Sequence, residues 1–252
     1  MRLALFGHGR MGRATETIAI ERGHEVSCIL DELSNEGGEG ITRPALDGAH
    51  VAIDFSVAAA VHDNVCHAAE LGVSVVVGTT GWEKEKEAVE AIARGAEIGL
   101  LTAPNFSVGM LLFMRVIRFA SRLANQVDEY DVHLAETHHR HKADHPGGTA
   151  RRLATIVLEE LERKSGWTAE LPDGAPLDPG RLHLSISRVG SVPGVHSMAL
   201  EGPDDRIELR HEARSRVGFA RGAVLAAEWL EGRSGIFSME DVMADLLGRH
   251  LS

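Results

Sequence analysis

The arrangement that most limits how this 252-residue chain can fold stands at its start. A short apolar run, Leu3-Ala4-Leu5-Phe6, leads into Gly7-His8-Gly9-Arg10-Met11-Gly12 and then into a helical stretch ending at Arg22. A continuous apolar run of this length reads as a strand buried on both faces. A GxGxxG pattern alone is a weak signal, because an ordinary strand-helix turn also carries glycines. Set between a strand and a helix, it fits a dinucleotide-binding turn. The glycines let the backbone approach a pyrophosphate, and the helix from Arg10 onward aims its free N–H groups and positive dipole end at that charge. A second strand, Glu25 to Leu30, ends in Asp31-Glu32. Asp31 lies 24 positions after Gly7 and 19 after Gly12, the spacing at which such folds place the carboxylate that binds the adenosine ribose hydroxyls. No arginine or lysine follows Asp31 before Arg43, so nothing local awaits a 2′-phosphate. NADH is therefore the expected cofactor over NADPH.

The alternation of strand and helix continues. His50 to Phe55 reads as a strand, Val57 to Leu71 as a helix, Val73 to Val77 as a strand, Trp82 to Arg94 as a helix and Glu97 to Thr102 as a strand. Repeated units of this kind imply a doubly wound parallel sheet, whose ligands sit at the carboxyl ends of the strands. Gly78-Thr79-Thr80-Gly81 and Ala103-Pro104-Asn105-Phe106 occupy two such ends. Ser56, Thr79 and Thr80 serve equally well as helix caps or turn formers.

The pattern changes after residue 106. A long helix to Asn125, a strand from Asp128 to Glu136 and a helix from Thr149 to Lys164 precede a loop, Gly166 to Gly180, that holds three prolines and three glycines. Beyond it Leu182, Leu184 and Ile186 alternate with polar residues, as do Met198 with Leu200 and Ile207 with Leu209. These are strands with one apolar face, in a mixed or antiparallel sheet whose other face is solvated or covered by a subunit. Helices at Ser215–Leu230 and Ser238–Leu251 return to the first domain. The expected division is 1–106 with 216–252 as a dinucleotide-binding domain, and 107–215 as a substrate-binding and oligomerisation domain.

Composition narrows the function. The net charge of −11 argues against a nucleic-acid binder, since phosphate backbones demand a basic surface. The apolar run Val108 to Ala124 carries Arg115, Arg118 and Arg122 and is no membrane span; that arginine stripe reads as solvated or salt-bridged. The start, Met1 to Gly7, meets a glycine too soon for a signal peptide, so the cytoplasm is the expected location. Cys28 and Cys66 are too few for a disulfide framework and read as small apolar side chains.

Against this acidic background the stretch Glu136 to Ala150 concentrates His138, His139, Arg140, His141, Lys142 and His145, then stops at Pro146-Gly147-Gly148-Thr149 before a helix. It reads as too polar for a core. Imidazole and ammonium groups exchange protons, while free N–H groups at the start of a helix suit a carboxylate. A metal centre built from the histidines is disfavoured, because no pair is spaced as ligands within a helix before Pro146; no metal is expected. His141 and His145 read as exposed loop histidines.

The stretch resembles the signature of dihydrodipicolinate reductases, E-x-H-H-x-x-K-x-D-x-P-S-G-T-A, with Gly147 in place of the serine. The likeness extends to Gly7–Gly12, Gly78–Gly81, Asn105–Gly109 and Glu212–Leu230. It implies an N-terminal Rossmann sheet with a second α+β domain, NADH or NADPH as cofactor, and hydride transfer to C4 of an unsaturated cyclic dicarboxylate. It further implies a homotetramer built through the second domain's sheet. By position, His138 matches the family's proton donor or acceptor and Lys142 its proton donor. His139, Gly148 and Thr149 match contacts to the substrate carboxylates. Gly78, Thr79, Thr80 and Ala103, Pro104, Asn105, Phe106 match cofactor contacts, the latter beside the nicotinamide. Another two-domain amino-acid-pathway dehydrogenase would explain the glycine loop and Asp31 but not the histidine-lysine block. A catalytically silent dinucleotide sensor would require neither His138 nor Lys142.

Overall fold

The computed structural model describes residues 1–248, and the chain divides into two compact units, Met1–Val108 with Arg216 onward, and Gly109–Ser215. The first unit opens with β1 (Arg2–Phe6), α1 (Arg10–Glu21), β2 (Glu25–Leu30), the short α2 (Arg43–Leu46), β3 (Val51–Asp54), α3 (Val61–Glu70), β4 (Ser74–Val77), α4 (Lys86–Gly95) and β5 (Gly99–Thr102). The second contains nearly all of α5 (Val108–Asn125), then β6 (Asp131–His138), α6 (Gly148–Glu160), β7 (Gly166–Thr168), β8 (Arg181–Arg188), β9 (Val195–Glu201) and β10 (Arg206–Glu212). The chain then returns to the first unit through α7 (Val217–Leu230), β11 (Gly235–Phe237) and α8 (Met239–Leu247).

The first sheet has the order β11-β5-β4-β3-β1-β2, and every pairing is parallel. Its central strands are apolar on both faces, as helices on both sides require: Leu3, Ala4, Leu5, Phe6, Val51, Ala52 and Ile53 are all buried. The chain leaves β1 to one side for β2 and returns on the other for β3. That reversal opens a crevice at the carboxyl ends of β1 and β3. Helix α7 packs along α1; its Gly222 leaves room for the Phe106 carbonyl, which a β-carbon would meet at 1.7 Å.

The second sheet is mixed, in the order β10-β9-β6-β8-β7. β6 runs parallel to β8 and antiparallel to β9. Period-2 alternation aims Val132 and Leu134 of β6, Leu182 and Leu184 of β8, and Met198 and Leu200 of β9 into one core under Met110, Phe113 and Ile117 of α5 and Leu153, Ile156 and Val157 of α6. Arg118 and Arg122 reach Glu159 and Glu160 at the end of α6, so two of the three arginines of the stripe are salt-bridged.

Three elements differ from the sequence expectation. Gly166–Gly180 is not all loop, because Gly166–Thr168 adds an edge strand beside β8; its prolines lie beyond that strand, where no ladder donor is needed. Gly235–Phe237 pairs with Gly99–Leu101 as the sheet's edge, too short to show a period. The last helix starts at Met239 under a Ser238 N–H and hydroxyl that both donate to Asp241; the expected run to Leu251 extends past the described residues.

Candidate functional site

In the first unit the glycine loop is shaped by contacts that admit no side chain. A β-carbon on Gly12 would stand 2.0 Å from the Gly7 carbonyl oxygen, and one on Gly7, whose φ is +92°, would stand 2.4 Å from that of Phe55. Gly9 is different: nothing lies within 4 Å of where its β-carbon would be. Packing thus requires Gly7 and Gly12, while Gly9 keeps a face of the backbone open. It borders a cavity of about 390 Å³ lined by Gly7, His8, Leu30 to Leu33, Phe55 to Val57 and Asn64.

Asp31 stands in that cavity. One of its carboxylate oxygens accepts from the Leu33 and Ser34 amides and the Ser34 hydroxyl. These bonds hold its pKa below the ordinary value, the Ser34 hydroxyl contributing most. Beneath the loop the buried Asp54 accepts from the Ser56 amide and hydroxyl, Thr79 Oγ1 and Asn64 Nδ2, at 2.7 to 2.9 Å. Thr79 is therefore a brace whose hydroxyl points inward, whereas Thr80 is exposed. Thr80 borders a second cavity of about 190 Å³ with Ala103 and Pro104. Gly78 is set against the Phe55 ring, which a β-carbon would meet at 2.2 Å. Phe106 is buried edge-on to Phe55, with ring centroids 6.2 Å apart, and Asn105 accepts from the Ser107 amide. Arg10 is exposed and Met11 half-buried at the start of α1, and His8 pairs with Glu16 at 2.8 Å.

In the second unit the register concentrates polar groups at one end of the apolar sheet face. The alternation that buries Val132 and Leu134 continues along β6 to Glu136 and His138. Glu136 pairs with His196 across to β9, which in turn pairs with His211 on β10, and His138 pairs with Arg188 on β8. Glu136 is 1% exposed, which corrects the reading of this stretch as too polar for a core. Its carboxylate accepts from Arg188 Nη2 at 2.6 Å and from the Gly147 amide at 3.0 and 3.2 Å. His138 Nδ1 and His196 Nε2 face it at 3.7 and 3.6 Å. Burial disfavours the carboxylate charge, but His196, Arg188 and His138 outweigh it and draw the Glu136 pKa down to about 2. Burial also dominates at His138, where it outweighs the attraction of Glu136 and holds the imidazole down to about 4.

Of the rest of the block, Lys142 and Gly147 lie beside this carboxylate. Lys142 Nζ donates to Asp144 at 2.6 Å. A β-carbon on Gly147 would meet Glu136 Oε2 at 2.7 Å and Lys142 Cε at 2.9 Å, so the glycine at this position matches the place its two neighbours occupy. Gly147 caps α6 in an extended conformation, and Gly148 and Thr149 follow in the first turn, where amides lack intrahelical acceptors. His139 is half-buried with an unpaired Nδ1, while His141 and His145 are exposed.

Glu136, His138 and His196 offer ligand-type atoms within 4.8 Å of one another, a grouping that attention to His138, His139, His141 and His145 overlooked. The Arg188 guanidinium sets a positive charge against its carboxylate, and Arg188 and Gly147 already bind both carboxylate oxygens. Glu136, Arg188 and His196 were missed as site residues. The signal was present, since extending the alternation of Leu184 and Ile186 reaches Arg188, and running that of Leu200 and Met198 backwards reaches His196.

Comparison with known proteins agrees across both units. The family description "Dihydrodipicolinate reductase, N-terminus" matches residues 1–106 and "Dihydrodipicolinate reductase, C-terminus" matches 109–243. The chain is 35% identical over 246 residues to the 4-hydroxy-tetrahydrodipicolinate reductase of Christiangramia forsetii, covering 98% of this chain and 99% of that one. It is 37% identical over 262 residues to the enzyme of that name from Archaeoglobus fulgidus, covering 96% and 100%. Among solved structures, a dipicolinate-bound dihydrodipicolinate reductase from Paenisporosarcina sp. TG-14 shares the fold with a TM-score of 0.74 at 21% identity, over 94% of this chain and 97% of that one. With both units matched over nearly their full length, the chain belongs to the dihydrodipicolinate reductase family.

Proposed function

We propose that the chain reduces the cyclic dicarboxylate 4-hydroxy-tetrahydrodipicolinate, by way of dihydrodipicolinate, to tetrahydrodipicolinate in lysine and diaminopimelate synthesis, with NADH or NADPH as reductant. The observation that carries this reading is the convergence of His138, Lys142 and the Gly147 amide, which opens the helix that continues through Gly148 and Thr149, around one buried carboxylate, in a chain that also has an open glycine loop. The bound cofactor supplies a hydride for C4 of the unsaturated ring, and one proton must follow to complete the reduction. Negative charge builds on the substrate as hydride arrives, so an acid close to the ring lowers the barrier. Lys142 is the donor at neutral pH. His138, neutral when its pKa is about 4, is suited to accept a proton or to relay one. His139 with Gly148 and Thr149 binds the two carboxylates through charge-assisted and backbone hydrogen bonds.

In the first unit Gly7 to Gly12 cradle the pyrophosphate, and Asp31 binds the ribose hydroxyls. NADH is preferred: among the described residues no arginine or lysine lines the Asp31 cavity, and the carboxylate there repels a 2′-phosphate. Gly78, Thr80 and Ala103 to Phe106 shape the nicotinamide end, with Thr79 acting through Asp54. Units 1–106 with 216–252 and 107–215 divide the work as dinucleotide-binding and substrate-binding domains. Four copies assemble through the face of the second sheet opposite its core, where His133 pairs with Ser185 at 3.0 Å. No described helix is long and apolar enough to cross a membrane, and two unpaired cysteines suit the cytoplasm.

The test couples the purified protein to an aldolase that condenses pyruvate with aspartate semialdehyde, and follows nicotinamide absorbance. Turnover with higher kcat/KM for NADH than for NADPH is expected. A His138→Ala, Lys142→Ala double variant is expected to lose at least about 100-fold in kcat while still binding NADH. Normal turnover in that variant removes the catalytic assignment, and a strong NADPH preference removes the cofactor assignment.

A further inference from the structure

We propose that His196 is a positioning residue for this reaction, holding the Glu136 carboxylate so that it orients the His138 imidazole for proton transfer. The proposal deepens the reading of His138 given above and rests on it. His196 lies on β9 directly across from Glu136. Its Nε2 faces Glu136 Oε2 at 3.6 Å, and its ring meets the His138 ring edge-on, with centroids 5.2 Å apart at 75°.

Folding alone does not account for a histidine here. The next residues on the same face of β9 are Met198 and Leu200, both in the core. His196 is 4% exposed, and neither of its ring nitrogens has a hydrogen-bond partner among the described residues. A desolvated, unpaired imidazole is unfavourable where an aliphatic side chain would pack without penalty. The polar groups around it give it a role. Arg188 and His138 Nδ1 approach Glu136 Oε1 from β8 and from β6 itself, and Gly147 N–H approaches both oxygens from the start of α6. His196 is the group that approaches Oε2 from β9 and so opposes rotation of the carboxylate away from His138. A distance of 3.6 Å is long for a hydrogen bond, and such contacts tighten when a site is filled.

With Nδ1 turned to Glu136, His138 has Nε2 as the atom free to exchange a proton, which is how a buried carboxylate selects an imidazole tautomer in acyl-transfer triads. Gly194, just before β9, keeps that nitrogen uncovered: a β-carbon there would sit 2.9 Å from Nε2. The titratable and charged groups facing this pair are Glu136 on β6, Arg188 on β8, His211 on β10, and Lys142 with its partner Asp144 on the loop before α6.

The experiment compares His196→Leu, His196→Asn and His196→Gln in the full-length protein. Leucine removes the ring nitrogens. Asparagine stays polar but is too short to reach Oε2, and glutamine restores a donor near the Nε2 position. Each is assayed for kcat and KM across pH 6 to 9, and the His138 imidazole is titrated by NMR. The leucine and asparagine variants are expected to lose on the order of 10-fold in kcat, with the KM for NADH unchanged and the His138 midpoint raised, because His196 is among the groups that hold it down. Glutamine is expected to recover most of kcat. A kcat within two-fold of wild type in the asparagine variant, or an unmoved His138 midpoint in it, overturns the proposal even if the leucine variant fails to fold. Full activity of His138→Ala would instead overturn the reading on which the proposal rests, and the NMR titration, which needs no turnover, separates the two failures.

Discussion

Glu136→Gln isolates the charge at the centre of the second unit. The substitution keeps the shape and one acceptor oxygen but leaves the Arg188 guanidinium without its counter-ion and turns an amide N–H₂ toward the Arg188 or Gly147 donors. The magnitude follows from the depressed pKa. Between the ordinary 4.5 and about 2, at about 1.4 kcal/mol per pH unit, the folded state favours the ionised carboxylate by roughly 3 kcal/mol. That agrees with the ~3–5 kcal/mol cost of removing one partner from a buried ion pair. At about 2–4 °C per kcal/mol for a chain of this size, scanning calorimetry at pH 7.5 should show the transition that includes the second unit lowered by roughly 6–12 °C. The sign with pH is fixed. The contribution is fully present above pH 4.5 and is lost as pH falls toward 2, so wild type and variant should converge in acid. Because most of the cost is an orphaned guanidinium, Glu136→Gln with Arg188→Met should lose less than the sum of the single losses. A lone variant melting within 2 °C of wild type, or strict additivity in the double variant, refutes the reasoning.

Two further outcomes follow from the contacts described. Gly12→Ala and Gly9→Ala should separate, because the first drives a methyl to 2.0 Å from the Gly7 carbonyl and the second meets nothing within 4 Å. Calorimetry should show Gly12→Ala markedly destabilised and Gly9→Ala nearly as stable as wild type, while NADH titration shows Gly9→Ala weakened. Burial holds His138 down to about 4, so between pH 6.5 and 4 the unfolded chain binds a proton that the folded chain does not, and stability falls as pH drops through that window. His138→Asn should flatten this part of the dependence, measured by urea unfolding at pH 7 and 4.5, and an unchanged slope would contradict the neutral assignment.

What the sequence alone determined was whatever rests on neighbours along the chain. The apolar run before Gly7, the GxGxxG turn and the spacing to Asp31 specify a strand, a turn and a helix through local sterics, and repetition of that unit specifies a parallel sheet. The Glu136 to Ala150 block announces its chemistry because its acids and donors are adjacent in sequence. Tertiary structure decided which residues of that block lie together and which partners they meet. The Thr79 hydroxyl braces Asp54 and Phe106 packs edge-on to Phe55, partners that no neighbouring stretch of sequence names. Glu136 is buried because β6 carries it along the face that covers Val132 and Leu134, and Arg188 and His196 join it from strands 52 and 60 positions away. Strand pairing brings such distant residues together, and register, set by burial of Leu134 against Met198 and Leu184, is a property of the packed sheet rather than of any one stretch.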